Sequence, residues 1–178
     1  MPNPWLRAAN PFNAPRAMIE AERAARVAAF ALIASAVVSL IVAGLMALHP
    51  EWMTTLLANQ TSQMGLSSEQ VTMQQEMMAA IMPTMMTIGM IIGVVICLVL
   101  AWVQWKYATR FVPVIMLALL VYSALMSVIG LSTGRYAGLG PTYGAMTAMS
   151  WVVQAGCAVL YAAAIRGAFA LHRLKQEP

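Results

Sequence analysis

Charged side chains are scarce in this chain of 178 residues, where lysine, arginine, aspartate and glutamate together make up 9% of the total and aspartate is absent. Soluble domains carry roughly 25% charged residues. Apolar residues here reach 61%, so a water-soluble fold could not cover its surface with polar groups. The composition excludes an ordinary soluble protein and predicts an integral membrane protein that has the lipid bilayer as its surroundings.

Four apolar segments have the roughly 20 residues that a helix needs to cross a hydrocarbon core. The first has 22 residues, too many for the roughly 7–15-residue apolar core of a cleaved signal peptide. The sequence therefore predicts an all-α, integral membrane four-helix bundle that forms one polytopic domain over residues 1–178. The predicted spans are about 27–48, 83–104, 111–131 and 143–165.

Basic residues predict the direction of every span. Lys106 and Arg110 lie in the short link between the second and third spans, which we expect to be antiparallel neighbours. Nine of the ten lysines and arginines fall on the side of that link, and only Arg135 falls on the other. Because cationic loops stay in the cytoplasm, both termini are predicted to be cytoplasmic and the membrane to be the plasma membrane. The basic residues form no single patch, so we expect no nucleic-acid partner.

Two segments outside the spans have a recognisable pattern. Residues 1–26 carry four prolines and are predicted to form an irregular arm that leads into the first span. The polar segment 49–82 should lie outside the cell. Its Ser67 and Gln70 match a capping box and predict a short amphipathic helix in this loop. Pro83 then either begins the second span or kinks one longer helix.

The residue types that usually carry chemistry are few. No ionisable side chain lies in the interior of a predicted span, which argues against an ion-coupled pump. Cys97 and Cys157 lie in apolar runs without a CxxC motif or a nearby histidine, so we expect no disulfide and no zinc site. His49 and Glu51 are the only close acid–base pair of the outer loop, and we interpret them as interfacial polar residues. We expect no catalytic residue and no cofactor.

Small residues recur at intervals of four along the first span and predict one narrow stripe on its surface. A stripe of this kind lets another helix approach closely. Ser35, Ser39 and Ala43 are the centre of the stripe and are predicted helix-packing residues. The full stripe comprises Ala31, Ser35, Ser39, Ala43 and Ala47.

Two further features of the spans are predicted to pack helices. Gly89 and Gly93 form a GxxxG motif in the second span, and we favour a contact within one bundle over a dimer seam. Gln154 is the most polar residue near the middle of a span. An unpartnered amide in hydrocarbon is costly, so we expect it to bond to another helix, with a substrate contact as the alternative.

The chain has sixteen methionines, several of them stacked on one predicted helix. Met78, Met82 and Met86 are four residues apart, and thioethers are soft ligands that favour Cu(I). The stacked pairs resemble those of copper-uptake channels, although those channels have three spans, so the likeness is local. Methionine is also a flexible apolar filler, and its presence in other spans favours that interpretation. We therefore predict no metal site.

These observations favour a non-enzymatic membrane protein, an accessory or interaction subunit that binds other membrane helices through its small-residue and methionine-rich faces. The expected partner is a second copy in a homo-oligomer or another membrane protein. The alternative is a small oligomeric transporter or channel, with a soft metal ion among its candidate substrates.

Overall fold

The structure is a computed structural model that describes residues 3–13, 15, 17–63 and 68–176; between residues 62 and 86 it describes only the side chains of Ile81, Thr84 and Met85. The described chain is helical and contains no strand. Its helices are α1 (Pro4–Ala8), α2 (Met18–Leu48), α3 (Pro50–Gln63), α4 (Ser68–Tyr107), α5 (Phe111–Ser132) and α6 (Gly140–Gln176).

Four described helices are long and apolar enough to cross a membrane: α2, α5, α6 and the part of α4 from Thr87 to Tyr107. The prediction of an all-α chain with four candidate membrane-spanning helices is confirmed. Helix α5 matches its predicted span because a basic link and a glycine-rich turn bound it. Helix α2 begins at Met18 and α6 continues to Gln176. Charged residues on these extensions lower the hydropathy without breaking the helix.

The second span is part of a longer helix. The backbone of α4 is helical from Ser68 through Pro83 to Tyr107, so the described backbone has one continuous helix here. Ser67 and the side chains that would show amphipathicity lie outside the described residues. The start of the predicted loop helix therefore continues into the span, and its amphipathic character stays a prediction. Helix α3, which was not predicted, precedes it in the same loop.

The four long helices form an open arc in the order α4, α2, α6, α5. Helix α2 packs most extensively on α6 and then on α4, while α5 packs on α6. The backbones of α4 and α5 hardly approach each other, although the link between them is only residues 108–110. The prediction that these two spans lie side by side is wrong, because each packs on a different neighbour. We call the gap between α4 and α5 the open side of the arc.

Alanine and glycine make the contact between α2 and α6 very close. A Cβ placed on Gly167 of α6 would lie 2.5 Å from the backbone nitrogen of Ala25 and 2.6 Å from the Cβ of Ala24. Ala28 of α2 and Ala164 of α6 are completely buried in the adjoining core. Such small side chains let two helices meet almost backbone to backbone, which dispersion forces favour in a membrane.

The N-terminal arm is not wholly irregular, because α1 packs against the arc. Asn3 caps α1 by accepting a hydrogen bond from the backbone N–H of Trp5 at 3.0 Å. The Trp5 ring stacks on Trp105 of α4 with centroids 5.9 Å apart and meets Phe30 of α2 edge to face at 5.7 Å. Arg26 places its guanidinium 5.7 Å from the Trp105 ring centre. Aromatic and basic side chains of this kind suit a membrane boundary.

We call this end of the arc the basic end, because it gathers both chain ends and the α4–α5 link. The guanidinium of Arg166, on α6, donates a hydrogen bond to the carbonyl of Pro11 in the arm. Arg110 of the link and Lys175 of α6 line one groove of about 230 Å³. The two termini and the link therefore lie at one end of the molecule.

The opposite end, the loop end, is closed by α3 and the turn before α6. Trp52 is buried there with Leu139 and Met146. The side-chain amide of Asn59 donates hydrogen bonds to the carbonyls of Arg135 at 3.0 Å and Ala137 at 2.9 Å. These bonds satisfy carbonyl groups of the turn and attach it to α3.

His49 and Glu51, the predicted acid–base pair, meet at the loop end, with His49 Nδ1 2.7 Å from Glu51 Oε1. A hydrogen bond from the backbone of Glu51 and a second from His49 hold the pKa of this carboxyl below its ordinary value. The His49 ring also stacks on Trp52 with centroids 4.3 Å apart. The pair therefore fixes the turn between α2 and α3.

Candidate functional site

The concave side of the arc holds a cavity of about 410 Å³ at the middle of the spans. It is partly open, and α4 contributes only Met90 to its described lining. The other lining residues come from α2, α5 and α6: Ser35, Val38, Ser39, Val42, Met116, Leu119, Leu120, Ser123, Ser150, Val153, Gln154, Cys157 and Tyr161. The lining combines an apolar wall with several hydroxyl groups and one amide.

Tyr161 is the most buried polar residue of the cavity, with 1% of its surface exposed. Its hydroxyl is buried and has no hydrogen-bond partner of normal geometry. Ser35 is the polar side chain beside it, and the Ser35 Oγ lies 3.7 Å from the Cys157 Sγ. The Cys157 thiol in turn donates to the carbonyl of Ala31 at 3.6 Å. A phenol O–H in an apolar setting without a partner is unfavourable.

Gln154 lines the same cavity, about two turns from Tyr161 on α6. The expected bond from Gln154 to another helix is not among the hydrogen bonds of the described residues. Its Nε2 instead donates to Ser150 Oγ on α6 itself, over a long 3.4 Å. The amide faces the cavity because α5 and α4 do not close over it. Its role as a helix-packing residue is therefore not supported by a bond between helices.

The small-residue stripe of α2 divides into two parts. Its beginning packs as predicted, with Ala31 completely buried in the core. Ser35 and Ser39 line the cavity, and Ser39 is exposed. Ala43 is half-buried beyond them. The closest helix approach lies instead towards the basic end, at Ala24 and Ala25, outside the predicted stripe.

Gly89 and Gly93 make no close contact within the chain. Both are exposed, and a Cβ on either would meet nothing within 4 Å. The favoured prediction, a contact between helices of one bundle, is not met in the described chain. With Leu100, which packs towards the central core, they follow the spacing i, i+4, i+11 and lie along one side of α4. Leu100 packs beside α5 residues such as Val112, so this side of α4 borders the open side of the arc.

The three methionines considered as metal ligands fall largely outside what the structure describes. The backbone of Met78, Met82 and Met86 belongs to α4, but their side chains lie outside the described residues. Among the residues that are described, no group of three histidine, cysteine, aspartate or glutamate side chains could hold a metal ion. The prediction that these methionines are packing residues stays a prediction.

Sequence reasoning missed Gln104, which is completely buried near the basic end. Its Nε2 donates to the carbonyl of Ala25 on α2 at 2.7 Å, and its Oε1 accepts from Thr109 Oγ1 at 2.8 Å. One side chain thus joins α4, α2 and the link. The only signal in the sequence was an amide between Trp102 and Trp105, where the aromatics suggested a membrane boundary.

The fold and the cavity define a multi-pass helical membrane protein with a polar, partly open cavity between its spans. Comparisons with protein-family models, curated proteins and solved structures found no match. The chemistry available to the cavity is hydrogen bonding by Ser35, Gln154 and Tyr161 within apolar walls.

Proposed function

We propose that this protein is a non-enzymatic interaction subunit of the membrane that binds another transmembrane helix along the glycine edge of α4. The glycine edge is the surface formed by Gly89 and Gly93. The observation that carries the proposal is that both glycines are exposed beside the open side of the arc, where a Cβ added to either would meet nothing within 4 Å.

The neighbours of the glycine edge make its small residues conspicuous. Ile88, Ile92 and Ile96 are about half exposed, as expected for side chains that meet lipid tails. A glycine in a helix costs about 1 kcal/mol relative to alanine. Two glycines one turn apart let the backbone of a second helix approach closely, and in a membrane such packing drives association. A partner helix at this edge would also cover the open side.

The orientation that we propose places the basic end in the cytoplasm and the loop end outside, in a plasma membrane. It is supported by the position of Lys106, Arg110 and Lys175, which lie with both chain ends at the basic end. Cationic segments are retained in the cytoplasm during insertion. The glycine edge would then face the bilayer near its middle.

The experiment replaces Gly89 and Gly93 together by isoleucine and compares this variant with Gly156→Ile. Gly156, on α6, is the matched control because it is also exposed with nothing within 4 Å. Each variant is purified in mild detergent from cells that express two differently tagged copies, and membrane proteins that co-purify are identified. We expect the wild type and Gly156→Ile to retain an associated second copy or another membrane protein, and the double variant to lose it.

Two results would refute the proposal. One is a wild-type protein that is monomeric and retains no membrane protein. The other is equal loss of association in the double variant and in Gly156→Ile. Co-purification of the second tag identifies a homo-oligomer, whereas a different retained protein identifies a hetero-complex.

The alternative function, a small oligomeric transporter or channel, is favoured by one observation, the polar cavity itself. Its described lining holds hydroxyl and amide groups but no charged side chain, so it suits a neutral substrate better than a metal ion. Uptake of a substrate into vesicles that contain the purified protein would favour this alternative.

A further inference from the structure

We propose that the cavity on the concave side of the arc binds a neutral, membrane-dissolved molecule through a carbonyl oxygen that accepts a hydrogen bond from the hydroxyl of Tyr161. The proposal concerns the interior of the arc and does not depend on a partner helix at the glycine edge. It names a binding site and a class of ligand.

Tyr161 supplies the first argument. It lines the cavity, is 1% exposed, and has a hydroxyl without a partner of normal geometry. Buried polar groups in proteins almost always have a hydrogen-bond partner. A phenol O–H is a good donor, so the missing partner is an acceptor. A carbonyl oxygen of a ligand is such an acceptor and carries no charge.

The lining supplies the second argument. None of the described lining residues is charged, and burial of an ion without a counter-charge is costly. The cavity of about 410 Å³ lies within the range typical of small-molecule sites, roughly 300–1,000 Å³. Leucine, valine and methionine form most of its wall, while Gln154 and the serines offer further hydrogen bonds. The surface therefore suits an apolar molecule with one polar group.

The open side supplies the route. Helices α4 and α5 hardly approach each other, and only Met90 of α4 reaches the described lining. A molecule dissolved in the bilayer can enter laterally between these helices without crossing the polar loops at either end. Entry from the membrane favours a lipid-like ligand over a water-soluble one.

Two simpler occupants compete with such a ligand. A water molecule could accept the Tyr161 hydrogen bond, and a rotation of Ser35 could bring its Oγ into bonding distance. Either would satisfy the phenol without a ligand. The experiment therefore has to measure binding of a carbonyl compound directly and compare it with binding of a hydrocarbon.

The probe is a monoacylglycerol that carries a photoreactive diazirine and an alkyne tag on its acyl chain. The comparison probe has the same tagged chain but ends in a methyl group instead of the glycerol ester. Full-length protein in lipid vesicles is labelled by light with each probe, and the labelled peptides are identified by mass spectrometry. Labelling is measured on peptides that line the cavity.

Two pairs of variants test the assignment. Tyr161→Phe removes only the proposed donor, and Tyr122→Phe is its control because Tyr122 is 59% exposed on α5 and does not line the cavity. Ser123→Phe fills the cavity from α5. Ser127→Phe is its control one turn away, outside the described lining.

We expect the ester probe to label cavity peptides more strongly than the hydrocarbon probe. Loss of one hydrogen bond should lower labelling in Tyr161→Phe by roughly three- to tenfold. Ser123→Phe should bring it to the level of the hydrocarbon probe, while both controls should match the wild type. Equal labelling by the two probes would overturn the proposal and leave water or Ser35 as the partner of Tyr161. Equal labelling of Tyr161→Phe and Tyr122→Phe would also overturn it, even if Ser123→Phe fails to fold.

Discussion

Replacing Gly167 and Gly156 by alanine, one at a time, tests the close contact between α2 and α6. Both glycines lie in α6, so the two substitutions make the same chemical change in one helix. A Cβ at position 167 would lie 2.5 Å from the backbone nitrogen of Ala25, whereas a Cβ at position 156 would meet nothing within 4 Å. The structure therefore predicts effects of opposite sign on the free energy of unfolding.

The expected sizes follow from two opposing contributions. Alanine stabilises a helix by up to about 1 kcal/mol relative to glycine, and this gain applies at both positions. At position 167 the added methyl group meets backbone, which cannot rotate away, so α2 and α6 have to separate. Overpacking of this kind costs typically 1–3 kcal/mol, and the loss of neighbouring alanine contacts adds to it. We expect Gly156→Ala to be neutral or stabilising and Gly167→Ala to be less stable by about 2 kcal/mol.

The measurement is unfolding of each purified variant in mild detergent, by heat and by titration with a denaturing detergent. A difference of about 2 kcal/mol corresponds to roughly 4–8 °C in Tm for a chain of this size. If Gly167→Ala unfolds at the same temperature as Gly156→Ala or above it, the close approach of α2 and α6 is refuted. Unchanged secondary structure in both variants serves as the control for a comparison of folded proteins.

Three further predictions concern buried polarity, the link and the orientation. Gln104→Leu should destabilise the chain by about 1–3 kcal/mol, since it breaks hydrogen bonds to α2 and to the link; Gln154→Leu, which breaks one long bond within its own helix, should cost less, and the reverse order in the unfolding titration would contradict this. Ala108→Gly should raise stability by up to about 1 kcal/mol because Ala108 has a φ of +47°, a region that favours glycine; a clear loss of stability would argue against that backbone conformation. Single cysteines at positions 60 and 138 should react with an impermeant thiol reagent on intact cells, and failure of both to react would refute the proposed orientation.

The sequence predicted those features that depend on hydropathy and local punctuation. Helix α5, Phe111–Ser132, agrees with the predicted span 111–131 almost residue for residue, since Arg110 precedes it and a glycine-rich turn follows. The early start of α2 at Met18 was missed because Glu20, Glu22 and the neighbouring arginines interrupt the apolar run. Those charges can pair along or between helices, as in the 2.6 Å bond from Arg26 to Glu22, so the helix continues through them.

The pairing of helices could not be predicted in the same way. Hydropathy shows that a segment can enter a membrane but does not show which neighbour it contacts. The short link at residues 108–110 suggested that α4 and α5 pack together, yet the alanines near Ala25 and the single Gly167 make α2 and α6 the better match. The cavity and Tyr161 follow from that choice, because the open side exists only when α4 and α5 pack elsewhere. A tyrosine near the end of an apolar span gave no separate signal of a binding site.

The contact between α2 and α6 has a consequence for biogenesis. The helix that enters the membrane first buries its alanine face against the helix that is synthesised last, so this contact can form only when the ribosome has nearly finished the chain. Until then, α2 can pair with α4 but leaves Ala24 and Ala28 facing lipid or an insertion chaperone. A nascent chain that stops before α6 should therefore lack its main interface and be degraded as an incomplete protein, even though three of its spans have already inserted.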